Sequence, residues 1–312
     1  MRVTVVGAGV VGLTVAHELA AAGHAVRVLA DADAQASTSG AAAALWFPHG
    51  VPHTPQVLAS AAATYRRLVD LARDPATGVR VRAGTVLSRR PDPDRSWTSA
   101  VPEHRVLGPG EAPAGASGVR CTVPLAVTGT YLAWLQEQVR RRGVALERRA
   151  VGSLAEVEGA DAVVVAGGVR SPALLGDDRT TVPVRGQVAR LANPGLTEWV
   201  TDDDNPDGLT YVVPRDGDVV CGGTGDVGAW DRSVDPAVED AVLRRVRALV
   251  PALADRPVLS RAVGLRPGRP DVRLEPVEGH GRPVVACYGH GGAGFTLSWG
   301  DAGRVVRLLE GA

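Results

Sequence analysis

Apolar and polar positions at the start of the chain predict a strand, a helix and a second strand. Residues 2–6 are mostly apolar, as in a strand that is buried on both faces. Residues 13–22 place apolar side chains at helical spacing, and Gly23 follows where glycine commonly ends a helix. Residues 25–29 form the next apolar run. Such a unit predicts two parallel strands joined by a right-handed crossover.

The middle of the chain has a different pattern. From residue 79 to about residue 127, short apolar segments are interrupted by proline and glycine, which is typical of an antiparallel sheet. Residues 210–214 and 218–222 flank an Arg-Asp-Gly turn, and they predict a second antiparallel hairpin. Elsewhere the periodicity predicts helices over 57–71, 130–142, 238–250 and 300–309, and strands over 161–166 and 283–287.

Composition narrows the range of partners. The 312 residues include 34 Lys plus Arg and 34 Asp plus Glu, so no excess charge indicates a nucleic-acid or membrane partner. No apolar run approaches the ~20 residues that a membrane-spanning helix requires. The cysteines, Cys121, Cys221 and Cys287, are too few and too scattered to predict disulfides or a metal site. We therefore expect a protein of a reducing compartment, with the cytoplasm as its location.

A glycine-rich segment lies between the first strand and the first helix, which is the context of a dinucleotide-binding turn. Its first glycine permits a tight turn, its second lets a pyrophosphate approach the backbone, and its third lets the helix pack closely on the strand. The helix N-terminus then presents unpaired N–H groups to the phosphates. The predicted cofactor contacts in this segment are Gly7, Ala8, Gly9, Val10, Val11 and Gly12.

A carboxylate that binds the ribose hydroxyls is expected about 20 residues after the glycines. Asp31 takes this role, although Ala30 occupies the position where an acidic residue is most common. Asp33 stays an alternative, and either aspartate could instead be a solvated turn residue. The motif by itself does not distinguish NAD from FAD.

A hydroxyl-rich turn followed by very small side chains favours FAD. Residues 37–39 carry three hydroxyls, and residues 40–44 are only Gly and Ala. Small residues let the backbone approach a flat ligand, while hydroxyls can bind phosphate or ring heteroatoms. The segment is also compatible with a helix start capped by Ser39. The predicted cofactor contacts here are Ser37, Thr38, Ser39, Ala43, Ala44 and Leu45.

Five blocks of sequence together resemble the D-amino acid oxidase family of FAD-dependent enzymes. The first block is the N-terminal region through Leu45-Trp46. The later blocks are Arg185-Gly186-Gln187; Tyr211-Val212-Val213-Pro214 with Gly222-Gly223-Thr224 and Gly228-Ala229-Trp230; Gly264-Leu265-Arg266-Pro267-Gly268-Arg269-Pro270 with Val272-Arg273-Leu274-Glu275; and Tyr288-Gly289-His290-Gly291-Gly292-Ala293-Gly294-Phe295-Thr296 with Trp299-Gly300. They cover the full length in the order of the family, and residues 79–127 resemble it least.

The resemblance implies roles for individual residues. Arg266 is expected to bind the substrate carboxylate, which suits a planar guanidinium, and Tyr211 to contact the same carboxylate. The carbonyl of Gly292 is expected to face the substrate amine. His290 is expected to hold the glycine-rich loop rather than act as a base, whereas the roles of His49 and His53 stay open. Further cofactor contacts are expected at Val151, Gly291, Gly292, Ala293, Gly294 and Thr296.

The activity that the resemblance implies is oxidative deamination of neutral D-amino acids by hydride transfer to non-covalently bound FAD. The products are a 2-oxo acid, ammonia and hydrogen peroxide, with molecular oxygen as the second substrate. Acidic side chains are not expected, because Gly225 stands where D-aspartate oxidases of the family carry an arginine. Basic side chains stay an open alternative through Asp226. The competing interpretations are a glycine or sarcosine oxidase, an NAD-dependent dehydrogenase and a flavin-binding protein without catalysis.

The expected fold is α/β, with a Rossmann-like FAD-binding domain and an antiparallel-sheet substrate domain. We assign residues 1–65, 143–183 and 260–312 to the FAD-binding domain, and residues 66–142 and 184–259 to the substrate domain. Residues 201–209 are polar and lack the lid tyrosine of some family members, which predicts an open site. The sequence does not determine the oligomeric state, and a homodimer is one open alternative.

Overall fold

The structure, a computed structural model, describes residues 1–311. Its helices are α1 (Val10–Ala21), α2 (Thr38–Ala41), α3 (Pro55–Leu71), α4 (Thr128–Arg141), α5 (Ser171–Leu175), α6 (Pro236–Leu249) and α7 (Gly294–Glu310). Its strands are β1 (Arg2–Val6), β2 (Ala25–Ala30), β3 (Val79–Ser88), β4 (His104–Val106), β5 (Ser117–Ala126), β6 (Ala145–Arg148), β7 (Ala162–Val165), β8 (Val182–Ala192), β9 (Trp199–Asp202), β10 (Thr210–Pro214), β11 (Asp218–Gly222), β12 (Asp226–Val227), β13 (Val258–Gly268), β14 (Arg273–Val277) and β15 (Val284–Tyr288). The predicted α/β fold class is confirmed.

The smaller of two sheets has the strand order β14–β15–β7–β1–β2–β6. β1 pairs in parallel with β2 on one side and with β7 on the other, which confirms the predicted parallel pairing of the opening unit. β7 is entirely buried and consists of Ala and Val, as expected for a parallel strand covered on both faces. Because the strands are parallel, the loops that follow β1, β2 and β7 meet at one edge of this sheet.

The larger sheet is mainly antiparallel and follows the order β12–β8–β11–β10–β9–β3–β5–β4, with β13 paired to β8. β10 and β11 form the predicted hairpin. β13 pairs with β8 as far as Gly268, so this strand belongs wholly to the larger sheet. The predicted domain boundary at residue 260 therefore falls inside β13 and lies too early in the chain. The predicted limits after residues 65 and 183 likewise fall inside α3 and β8, and the division into two domains itself stays a prediction.

Several local predictions differ from the structure in detail, among them those for the middle of the chain, the last helix and one helix cap. The segment 79–127 contains two long strands, β3 and β5, which pair along their whole length, rather than only short ones. α7 begins at Gly294 instead of residue 300, because burial of Phe295 and Leu297 in this first turn offsets the low helix propensity of its glycine. The cap of α2 is Ser37, whose Oγ accepts from the amide of Ser39 at 3.2 Å, and not Ser39 itself.

Close packing of α7 on α3 and α4 fixes the loop that precedes α7. A Cβ at Gly300 of α7 would overlap the backbone of Ser60 on α3, so the two helices approach closely only because this residue is glycine. Its neighbour Trp299 donates its indole N–H to the hydroxyl of Tyr131 on α4 at 2.9 Å. All of these groups are buried. The start of α7 is therefore held firmly beside the edge of the smaller sheet.

Candidate active site

A cavity of about 360 Å³ lies at the edge where the loops after β1, β2 and β7 meet. On the smaller sheet it is lined by Asp31 after β2 and by the glycine turn after β1, and on the larger sheet by Tyr211 and Arg266, beside Gly292 of the loop before α7. A ligand that fills this cavity therefore touches the smaller sheet and, at the end lined by Tyr211 and Arg266, the larger sheet. This is the arrangement expected for a dinucleotide bound at the carboxyl ends of parallel strands.

The glycine turn has the shape that a pyrophosphate requires. Gly7 has a φ of +119°, and a Cβ on it would overlap the carbonyl of Ala166 after β7. A Cβ on Gly12 would overlap the carbonyl of Gly7, so this third glycine lies under the turn and not in the cavity. The Val10 amide donates to Ser39 Oγ at 3.0 Å, which ties the hydroxyl-rich segment to the turn. The residues present thus fit the phosphates of a dinucleotide.

Asp31 lines the cavity and forms an ion pair with Arg170, which follows β7 and lines the same cavity. Asp33 is exposed and does not line the cavity, so the structure favours Asp31 for the ribose hydroxyls. Arg170 was not anticipated from the sequence. The only signal for it was its position just after the strand that ends in Gly167-Gly168.

The cavities contain most of the residues predicted to bind the cofactor. The large cavity is lined by Gly7, Ala8, Gly9, Val10, Val11, Asp31, Ser37, Thr38, Ser39, Gly291, Gly292 and Gly294. A second, smaller cavity is lined by Ala43, Ala44 and Leu45. Neither cavity is lined by Gly12, Val151, Ala293 or Thr296.

Thr296 and Val151 have other contacts in this structure. The Thr296 hydroxyl donates to the carbonyl of Phe47 at 2.8 Å and accepts from its amide at 3.1 Å. It therefore ties α7 to the segment after Trp46. Val151 packs against a buried cluster on the smaller sheet that includes Val163 and Val165. Direct contacts of these two residues with the cofactor stay a prediction.

Arg266 projects from β13 into both cavities. Its Nη1 donates to the carbonyl of Thr224 at 2.7 Å, and a Cβ on Gly186 of β8 would lie 2.5 Å from the same nitrogen. Within residues 1–311 it has no carboxylate partner, whereas Arg269 pairs with Asp178. Arg273 is likewise occupied, since its guanidinium binds Asp177 at 2.7 Å. Of the three arginines in this block, Arg266 is therefore the one available to an anionic ligand.

Tyr211 lies beside Arg266 on the larger sheet. A Cβ on either Gly222 or Gly223 would collide with its ring, so these glycines leave the space in which the phenol lies. Burial raises the pKa of the Tyr211 phenol, and the nearby positive charge of Arg266 partly opposes this increase. The hydroxyl therefore stays protonated and can donate a hydrogen bond to the anion that Arg266 attracts.

The glycine-rich loop closes the same end of the cavity. The Gly291 amide donates to the carbonyl of Pro267 at 3.0 Å, which places the loop next to Arg266. The buried ring of His290 contacts Asp301 of α7, with 3.1 Å between Nε2 and Oδ2. Ser60 Oγ donates to the other oxygen of Asp301 at 2.6 Å. This supports the expectation that His290 holds the loop, since its Nε2 is engaged with a carboxylate.

His49 and His53, whose roles the sequence does not determine, lie in different positions. His49 lines the smaller cavity and contacts Asp203 at 2.7 Å, whereas His53 contacts Asp94 at 2.8 Å and lines neither cavity. Asp203 was missed by the sequence reasoning, although it lies in the polar segment 201–209 that was singled out as unusual.

Asp226 and Gly225 line neither cavity. Asp226 is 3.3 Å from Arg185 and exposed, so the suggestion that it acts on a substrate side chain is wrong.

Over residues 1–311, the helices are all too short or too polar to cross a membrane.

Comparisons with known proteins agree with this fold. The sequence model of the family described as FAD dependent oxidoreductase matches residues 2–308. The chain therefore belongs to the FAD-dependent oxidoreductase family, and FAD is its cofactor.

Individual relatives are more specific. The chain is 46% identical to the D-amino-acid oxidase of Rubrobacter xylanophilus over 315 residues, which cover 100% of this chain and 96% of the relative. It is 39% identical to the D-amino-acid oxidase of Streptomyces coelicolor over 317 residues, which cover 99% and 97%. The crystal structure of glycine oxidase from Geobacillus kaustophilus matches with a TM-score of 0.83 and 22% identity, covering 99% of this chain and 95% of that chain, which shows a common fold.

Proposed function

We propose that the protein oxidises D-amino acids to 2-oxo acids, with release of ammonia and reduction of molecular oxygen to hydrogen peroxide. The observation that carries this proposal is Arg266 beside Tyr211 at the end of the cofactor cavity, with no carboxylate paired to Arg266 within residues 1–311. A guanidinium and a phenol that converge in this way suit an α-carboxylate. The names of the two relatives at 46% and 39% identity support the D configuration.

The residues at this end of the cavity bind and orient the substrate. Arg266 binds the carboxylate with the N–H groups that its contact with Thr224 leaves free, and that contact fixes the plane of the guanidinium. Tyr211 donates its hydroxyl to the same carboxylate, and the Gly292 carbonyl accepts from the amine. FAD, when bound, supplies the acceptor for the two electrons of the substrate and passes them to oxygen. The substrate loses its α-hydrogen with those electrons and one amine proton, and the resulting imino acid reacts with water to give the 2-oxo acid and ammonia.

The test is a panel of amino acids with detection of hydrogen peroxide. Purified holoenzyme should produce peroxide and ammonia in equal amounts with D-alanine or D-valine and should be inactive with their L-enantiomers. Glycine and sarcosine are included because the alternative is an oxidase for those two amines. The smaller cavity beside Arg266 offers room for a side chain that glycine lacks. Peroxide from glycine or sarcosine alone would favour the alternative, and no peroxide from any of these compounds would refute both.

We also propose that the FAD is bound without a covalent link. Cys287 lines the large cavity, but burial raises the pKa of its thiol well above the usual value, so the reactive thiolate does not form. His290 lines the same cavity and is engaged with Asp301. The three cysteines are free and buried, which supports the reducing, cytoplasmic location that we propose.

A further inference from the structure

The smaller cavity, of about 100 Å³, lies directly against the residues that bind the substrate. Tyr211, Arg266 and Gly292 line both cavities, so a side chain on the α-carbon of a bound amino acid can extend into the smaller one. Its walls are mostly apolar and include Leu45 and Phe47. The stem of an aliphatic side chain therefore fits these walls.

The cavity is not apolar throughout, because Thr201, Asp203 and His49 also line it. The Thr201 residue is 95% buried, and its Oγ1 has no hydrogen-bond partner within the described chain. A buried hydroxyl without a partner is uncommon in a folded protein. Thr201 lines the smaller cavity, so its side chain lies against a ligand bound there.

Asp203 differs from the two carboxylates beside it. Asp202 pairs with Arg89, and Asp204 pairs with Arg90 at 3.1 Å. Asp203 has no arginine partner within residues 1–311, and its Oδ2 contacts only the imidazole of His49 at 2.7 Å. Its Oδ1 makes no hydrogen bond within the described chain. The carboxylate therefore offers a free acceptor oxygen to the cavity.

His49 holds this carboxylate in place beside the substrate-binding loop. A Cβ on Gly292 would lie 2.6 Å from His49 Cδ2, so the imidazole packs directly against the loop that faces the substrate amine. The smaller cavity is thus lined by Arg266, by apolar walls, and by the acceptor groups of Asp203 and Thr201. A side chain that has an apolar stem and a cationic, hydrogen-donating end matches this arrangement.

We infer that Asp203 and Thr201 form a subsite for the cationic end of basic D-amino acids such as D-lysine. The inference rests on the proposed function, because it requires the α-carboxylate on Arg266. The ammonium group, which is only a hydrogen-bond donor, donates to Oδ1 of Asp203, and the Thr201 hydroxyl provides a second acceptor. The same carboxylate repels the side chains of D-aspartate and D-glutamate.

D-Lysine and D-norleucine provide the matched comparison, because both have an unbranched stem and only D-lysine carries the ammonium. For the wild-type holoenzyme we expect kcat/KM for D-lysine to equal or exceed that for D-norleucine. Asp203→Asn keeps the size of the side chain and removes its charge. It should lower kcat/KM for D-lysine about tenfold and leave D-norleucine nearly unchanged. Asp226→Asn, at a carboxylate outside both cavities, is the control and should change neither value.

The possible results separate the subsite from the proposed function. If wild-type holoenzyme oxidises neither substrate, the proposed function fails and the subsite fails with it. If D-norleucine is oxidised but Asp203→Asn leaves the D-lysine to D-norleucine ratio unchanged, the subsite alone is refuted. Should Asp203→Asn not fold, the wild-type comparison still decides, because a D-lysine value below that of D-norleucine contradicts the inference. Thr201→Val provides a second variant and should lower the same ratio.

Discussion

Replacing Arg266 with alanine tests the central feature of the site. The variant removes the one cation of its sequence block that has no carboxylate partner within residues 1–311, and it leaves the Thr224 carbonyl without its donor at 2.7 Å. Losing a buried charge pair with the substrate costs roughly 2–5 kcal/mol, which corresponds to a decrease of about 30- to 4,000-fold in kcat/KM. Most of the change should appear in KM, because the carboxylate is bound before any bond to the α-carbon breaks.

The assay for this variant is peroxide production from D-alanine over a range of substrate concentrations, with the flavin content measured on the same sample. Arg266→Lys keeps the charge without the planar fork and should be intermediate. The matched control is Arg261→Ala, which lies on the same strand, is exposed and pairs with Glu239 on α6. A flavin-loaded Arg266→Ala protein with near-normal kcat/KM would show that another group binds the carboxylate.

Four further predictions address the surroundings of Arg266 and the cofactor. Tyr211→Phe should lower kcat/KM for D-alanine about 10- to 100-fold, the loss expected for one hydrogen bond to a charged group, and an unchanged value would remove Tyr211 from the substrate contacts. Gly186→Ala should lower kcat/KM with flavin retained, because the new Cβ would lie 2.5 Å from the Arg266 guanidinium; normal kinetics would contradict the restricted position of that group. Acid precipitation should release all flavin into the supernatant, and flavin retained in the pellet would contradict non-covalent binding. Burial raises the pKa of all three cysteine thiols, so a thiol reagent should titrate almost none in the folded protein and three after denaturation, whereas rapid reaction of the native protein would contradict the described burial.

The part of the site that follows from local sequence is the cofactor turn. The strand, the glycines and the helix are neighbours in the chain, so residues 2–30 were sufficient to predict parallel pairing and the position of the phosphates. Even here the exact helix start at Val10 differed from the predicted residue 13, because glycine-rich turns have little helical periodicity. The role of Arg266 as the group that binds the substrate carboxylate could be predicted only from the resemblance to a family.

The residues that pack against Arg266 and Tyr211 could not be predicted from local sequence or from the resemblance. Gly186 reaches Arg266 only because β8 and β13 pair in one particular register, and these strands are far apart in the chain. Asp226 was considered for the substrate pocket because it is close in sequence to a family motif, yet its pairing with Arg185 places it outside. The opposite holds for Asp203. Its segment of sequence resembles no binding motif, and only the fold brings it beside Tyr211 and Arg266.

The glycines of the larger sheet explain how Arg266 and Tyr211 are held in place. Gly186 on β8 and Gly222 on β11 have no side chain where the guanidinium of Arg266 and the ring of Tyr211 lie, so both groups rest directly on the sheet. The backbone under them is fixed by the antiparallel pairs of β8 with β11 and β13. A binding group that is restricted before the substrate arrives loses little conformational entropy on binding. Segment 201–209 is therefore not needed for that restriction, and it contributes Thr201 and Asp203 to the lining of the smaller cavity.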